Sequence, residues 1–182
     1  SDFLLDGLIG GGELNDHELC KALIKKGYKL SKIRSHEVRL NDLSVNIFYI
    51  ISNFINLSKN IKELIQQNCN YIVYEHDHKY LISRNPAIYE NYKAPKEHVI
   101  NKEFYKKAKA VFCQSSFHES IIKKNIRLTN IYNVSGNLWS KDSLEIMRTL
   151  SHTEKIDCFS VLDSGVKHKN TKEAVFYCDK KG

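Results

Sequence analysis

Short apolar runs rich in β-branched and aromatic residues alternate along this chain with stretches whose apolar positions recur three and four apart. The runs Phe3–Leu5, Tyr28–Ile33, Val45–Ile51, Tyr71–Glu75, Ala110–Gln114, Ile131–Val134 and Cys158–Leu162 predict strands. A helix is predicted from about Gly12 to Lys26, with Leu19 and Leu23 four apart and Gly27 as its stop. After Asn56, the spacing of Leu57, Ile61, Leu64 and Ile65 predicts a second, and Lys102–Lys109 a third. Ser116-Phe-His-Glu119 reads as a capping box opening a fourth. A fifth spans Asp142–Leu150 and would bury Leu144, Met147 and Leu150, and the last opens near Asn170-Thr-Lys-Glu173. Strand–helix alternation predicts an α/β fold, a doubly wound, Rossmann-like parallel sheet with helices on both faces. Ligands of such sheets sit at the carboxyl ends of the strands, so the residues just after each strand are the ones to inspect.

Two segments break the rhythm. Lys79–Ile100 holds both prolines, Pro86 and Pro95, together with Tyr80, Tyr89 and Tyr92, and follows a strand end. It reads as a long loop at the ligand edge, where long ordered loops are often functional. The polar stretch Leu150–Asp157 reads as a linker. It divides a Rossmann-like domain, residues 1–152, from residues 153–182, which hold one β-α unit that lacks a sheet of its own.

Charge and composition narrow the chemistry. The formal net charge is +7, and the surplus is in the second half: residues 1–100 hold 13 Lys/Arg against 12 Asp/Glu, residues 101–182 hold 15 against 9. A basic second half suits an anionic partner, although solvated lysines on helix faces give the same count. The aromatics are not interleaved with the lysines as in RNA-binding sheets, so nucleic acid is not expected as a partner. The five cysteines are scattered without CxxC spacing, which predicts reduced, mostly buried thiols and neither disulfides nor a zinc site. No run approaches the roughly 20 apolar residues of a membrane span, and Ser1–Leu5 lacks the basic flank of a signal peptide. The expected location is cytoplasmic, with peripheral contact to the inner face of a membrane compatible with the basic surface.

Three groups carry candidate chemistry. Gly10-Gly11-Gly12-Glu13 follows a strand and opens a helix, so free N–H groups and the positive helix end can face a phosphate. It is neither GxGxxG nor a P-loop, and Lys32, Ile33 and Arg34 stand where a ribose-binding acid would be, which argues against a dehydrogenase or epimerase. The plain alternative is a flexible turn. Glu75-His76-Asp77-His78 ends a strand. Continued alternation would put His76 and His78 on one side and Glu75 and Asp77 on the other. A histidine there can donate to a substrate hydroxyl or phosphate. A third ligand at metal-binding spacing is missing, so no metal is assigned. Ser164-Gly165-Val166-Lys167-His168-Lys169-Asn170 again lies between strand and helix, and Lys167 and Lys169 suggest a second anion site. Ser115-Ser116 follow a strand, Ser116 being read as an N-cap, and Trp139 as a packing residue.

In this order the elements resemble the N-terminal domain of GT-B glycosyltransferases, specifically glycosyltransferase family 4. The opening Gly10-Gly11-Gly12-Glu13 with Leu19, Ala22-Leu23, Gly27 and Tyr28 is similar to that family's GGxE…L…AL…G[HY] stretch. Ile72–Asp77 is similar to its strand ending in His-Asp, Ala110–Ser115 to its strand ending in Ser, and Cys158–Lys169 to the first strand and basic turn of its donor-binding domain. The resemblance implies a retaining, metal-free transfer of a sugar from a nucleotide diphosphate sugar, a substrate and not a cofactor, to a sugar or lipid-linked acceptor. It also implies roles. His76 would hold the transferred sugar. Gly10, Gly11 and Gly12, with Glu13, would lie against the donor diphosphate or an acceptor phosphate, and Asp77, His78 and Ser115 line the same substrate side. Lys169, with Lys167, would neutralise the leaving diphosphate. Departures exist. Val166 stands where the family has Arg, the Asn-Gly turn appears only as Gly136-Asn137, and the paired glutamates that hold the nucleotide would lie beyond Gly182. The alternative is a non-catalytic Rossmann-like module that binds phosphate or nucleotide.

Overall fold

The computed structural model describes residues 1–5, 10–163, 165 and 169–181. Four strands, β1 (Phe48–Ile51), β2 (Asn70–Tyr74), β3 (Val111–Cys113) and β4 (Ile131–Asn133), form one all-parallel sheet in the order β1-β2-β3-β4. The register aligns Ile51, Val73, Val111 and Ile131 in a single buried row across all four strands. All four are β-branched, the residue type that suits a pleated, buried surface.

The helices follow from capping and spacing. In α2 (Lys59–Asn68), Ser58 Oγ accepts the Ile61 N–H at 3.3 Å, and Ile61 and Ile65 turn inward. In α3 (Lys102–Lys107), Phe104 and Tyr105 are buried. α4 (Ser116–Ile126) buries Ile121, Ile122 and Ile126 and stops at Arg127, which takes the left-handed conformation. Its cap is Ser115, not Ser116: Ser115 Oγ accepts the His118 N–H at 3.1 Å, because the extended backbone that a cap requires falls one residue earlier. The buried residues of α2, α3 and α4 join one core cluster with the row Ile51, Val73, Val111 and Ile131, which sets these helices against that face. That face carries the core, in which Phe54 lies 5.0 Å from Phe104 and Tyr71 4.9 Å from Phe104 between ring centroids. On the other face Phe48 and Tyr132 are more than half exposed.

Some predicted strands are absent. Residues 3–5 and 28–33 have no sheet pairing, and β1 begins at Phe48 and not at Val45. Gly27, at φ +87°, ends α1 (Gly11–Lys25). The chain then leaves with Tyr28 and Ile33 exposed, so alternation there has no buried face to serve. The region Lys79–Ile100 is a tied excursion instead of an open loop. Leu81 and Val99 form an antiparallel bridge, Ile100 N–H donates to Tyr80 O at 2.8 Å, and Asn125 of α4 binds both Tyr92 O and Ala94 N at 2.9 Å.

The chain divides into two compact units, Ser1–Ser140 and Lys141–Gly182. In the second, α5 (Lys141–Ser151) precedes α6 (Thr171–Lys181). Leu144, Met147 and Leu150 are exposed and not buried, and Cys158–Leu162 forms no strand, since no neighbouring strand among the described residues of the unit completes its backbone hydrogen bonds. Thr171 Oγ1 donates to Leu162 O at 2.8 Å. Among the described residues no helix is long and apolar enough to cross a membrane.

If the aromatic cluster carries the stability of the first unit, Phe104→Ala costs about 3–5 kcal/mol in denaturant unfolding, the range for deleting a buried aromatic. Phe117→Ala, which removes a solvent-exposed ring beside Tyr92, costs less than about 1 kcal/mol.

Candidate functional site

β2 stops at Tyr74, and the chain bends at once. The predicted alternation through residues 75–78 therefore does not hold; each side chain finds its own surroundings. Glu75 is fully buried. Its N–H donates to Phe112 O at 2.8 Å, its Oε1 accepts the Asp77 N–H at 3.0 Å and Lys79 Nζ at 2.8 Å, and its Oε2 accepts the Tyr105 hydroxyl. Lys79, 2% exposed, also donates to Asp77 Oδ1 at 2.7 Å. Burial alone would lower the Lys79 pKa, but Glu75 and Asp77 more than reverse this and raise it. Burial pushes the Asp77 carboxyl up, and Lys79 and Arg84, which binds Asp77 Oδ2, outweigh it and leave the pKa below its ordinary value. Glu75, Asp77 and Lys79 thus form a charge-paired clamp that fixes the bend.

The bend aims His76 at α1. His76 Nε2 lies 2.9 Å from Asp16 Oδ1, and Nδ1 lies 2.9 Å from Gln114 Nε2. One assignment satisfies all partners: Nε2–H donates to Asp16, and Nδ1 accepts from the Gln114 amide, whose Nε2 also donates to Asn137 Oδ1 at 2.6 Å. Asp16 Oδ2 accepts the Ser52 hydroxyl at 2.5 Å. α1 lies close to the imidazole: a methyl group on Gly12 would lie 3.6 Å from His76 Cδ2 and Cγ, in ordinary contact. The turn after β4 adds a second tie, with Leu138 N–H donating to Asn15 Oδ1 at 2.6 Å. Gly136, at φ +146°, permits that turn where other residues would be strained.

The predicted residues are distributed unevenly. Gly12, Glu13, His76 and Asp77 line one cavity of about 510 Å³, together with Asp16, Asn53 and Arg84. Gly10 is the N-cap position of α1, Gly11 is its first residue, and a methyl group on Gly10 would overlap Glu13 Oε2, so that carboxylate folds over the start of the helix. His78 turns elsewhere: its Nδ1 lies 2.8 Å from the Tyr80 hydroxyl and its ring 4.5 Å from that of His118. Ser115 has its hydroxyl committed to capping α4. Lys169 is exposed ahead of α6 in the second unit, and Lys167 lies outside the described residues.

Asp16, Gln114, Asn137 and Arg84 escaped the sequence reading. Asp16 stands four after Gly12, on the same helix face, which was a usable signal. Gln114 and Asn137 follow the third and fourth strands, the positions the strand-end rule marks. No protein-family model matches the chain, and neither a curated protein nor a solved structure does.

Burial, and then the neighbouring His118, lower the His78 pKa from 6.5 to about 4. Between those values the unfolded chain binds more protons than the folded one. Folding stability is therefore full above about pH 6.5 and falls as pH drops toward 4, by about 2–3 kcal/mol for this group. Thermal unfolding across that range should show the loss, and His78→Gln should flatten it; an equal slope in the variant assigns the acid sensitivity to other groups.

Proposed function

We propose that the protein is a retaining glycosyltransferase of the GT-B, family 4 kind, which moves a sugar from a nucleotide diphosphate sugar to a sugar or lipid-linked acceptor. The supporting observation is the meeting of Gly12 and His76 at the carboxyl end of a parallel sheet, where Asp16 and Gln114 bind the two ring nitrogens. This is where α/β proteins hold ligands. In this reading residues 1–152 are the acceptor-side half of a doubly wound fold, residues 153–182 begin the donor side, and the protein acts in the cytoplasm, peripheral to the membrane when its acceptor is lipid-linked.

The reaction breaks the bond between the sugar's anomeric carbon and the diphosphate oxygen. It forms a bond from that carbon to an acceptor hydroxyl oxygen on the same face of the ring, and the hydroxyl proton leaves on the diphosphate. The residues' part is positioning and charge stabilisation. Asp16 fixes the His76 tautomer, so Nδ1 faces Gln114 as an acceptor. A hydroxyl of the bound sugar that takes the place of the Gln114 amide then donates to Nδ1 and is held at a set angle.

The test is release of nucleoside diphosphate from a panel of nucleotide sugars by the full-length chain. His76→Ala is expected to lower kcat at least about 100-fold and, through loss of its ties to Asp16 and Gln114, to lower the melting temperature by only a few degrees with folding retained. Equal release by variant and wild type, or binding of a nucleoside diphosphate with no turnover of any donor, favours the non-catalytic module instead.

A further inference from the structure

The walls of the cavity beside His76 are rich in hydrogen-bond acceptors and hold little available positive charge. Carboxylates of Asp2, Glu13, Asp16 and Asp77 line it, as does Asn53, whose Oδ1 is buried without a hydrogen-bond partner. The cationic groups among the described lining residues, apart from the His76 ring, are Arg84, which is bound to Asp77, and the amino group of Ser1, which donates to Ile33 O at 3.4 Å. The start of α1, the position where a phosphate would use free N–H groups and the helix dipole, is already taken by the carboxylate of Glu13 folded over Gly10. A phosphate entering here would displace that carboxylate and then face three more, those of Asp2, Asp16 and Asp77.

A cation is not demanded either, because the carboxylates are compensated. Asp2 accepts the Ile55 and Asn56 N–H groups, Asp16 accepts from His76 Nε2–H and Ser52, Asp77 binds Lys79 and Arg84, and Glu13 sits at the positive end of α1. What remains is a set of oxygen lone pairs in a charge-balanced wall. Lone pairs without net charge are satisfied by a ligand that brings many O–H donors and no charge of its own.

We infer that this cavity receives an uncharged, hydroxyl-rich group, a sugar ring or similar polyol, and not a phosphate. Within the proposed transfer reaction, on which the word acceptor rests, this makes the acceptor's docking group a neutral sugar, with any phosphate of the acceptor held elsewhere.

The test is a backbone-amide NMR titration of the chain near neutral pH. The probes are methyl α-glucoside, methyl α-mannoside and myo-inositol as neutral polyols, glucosamine as a cation, and inorganic phosphate as an anion. At least one neutral polyol is expected to give saturable shifts at Gly12, Asp16 and His76 with a Kd in the range of about 1–10 mM, and phosphate none up to about 50 mM. Glu13→Gln should weaken the polyol at least about threefold and, by uncovering the helix start, let phosphate shift Gly11 and Gly12. Saturation of these amides by phosphate or by glucosamine alone in the unaltered chain overturns the inference, and so does the absence of shifts with every polyol. No nucleotide sugar or turnover enters the titration. A failed transfer assay therefore leaves this result standing, and a phosphate result here leaves sugar transfer open.

Discussion

The bend after β2 depends on a buried carboxylate. Glu75 has no solvent to satisfy it, so both of its oxygens must find donors inside the protein, and they do, in Lys79, Tyr105 and the backbone of Asp77. Such an arrangement is expensive to break: a buried ion pair that loses one partner leaves an uncompensated charge, at about 3–5 kcal/mol. That cost makes the path of residues 75–79 rigid. The strand cannot run on past Tyr74, because Glu75 would lose its partners. With the bend fixed, His76 has one direction available, toward α1, and Asp77 another, toward the cavity. The excursion over residues 79–100 serves the same clamp. Asn101 Nδ2 holds Lys79 O at 2.9 Å, and Tyr80 and Leu81 seal the clamp from solvent.

α1 is attached in a different way. Of its residues only Asn15 is buried, so apolar burial contributes little to holding it. It is held by directed polar contacts: Asp16 to His76 and Ser52, and Asn15 to the backbone of Leu138. Polar contacts of this sort are worth about 1 kcal/mol each and are lost together when the geometry slips. A helix held so lightly over a site can shift to admit a ligand without disturbing the core row Ile51–Val73–Val111–Ile131. At position 12 the helix backbone faces the imidazole closely enough that a methyl group there would just touch the ring, 3.6 Å from Cδ2 and Cγ.

The parallel sheet was legible because its strands are short apolar runs set between capped helices, and β2, β3 and β4 lie inside their predicted ranges or within one residue of them. Where apolar character was present without a partner, the reading failed. Tyr28–Ile33 and Cys158–Leu162 have strand composition, yet composition does not supply a neighbouring strand. α5 has a clear apolar stripe in Leu144, Met147 and Leu150, but the described residues of its unit offer it no core. At the site, the triglycine turn and His76 stood out by residue type. Asp16 did not, because its partner is 60 positions away in the chain and an isolated aspartate on a helix face looks like any solvated acid. Ser115 and His78 were legible as polar residues at strand ends, but their roles are set by the cap of α4 and by Tyr80.

The claim beneath the functional reading is that Asp16 and His76 form one hydrogen-bonded couple joining α1 to the strand end. Long-range heteronuclear NMR of the His76 ring at about pH 8 tests it most directly, since the tautomer is read from the two nitrogen shifts. The account predicts a single tautomer protonated at Nε2, which becomes a mixture in Asp16→Asn while the core amide shifts stay in place. A ring protonated at Nδ1, or one whose nitrogen shifts ignore the Asp16 change, would contradict it.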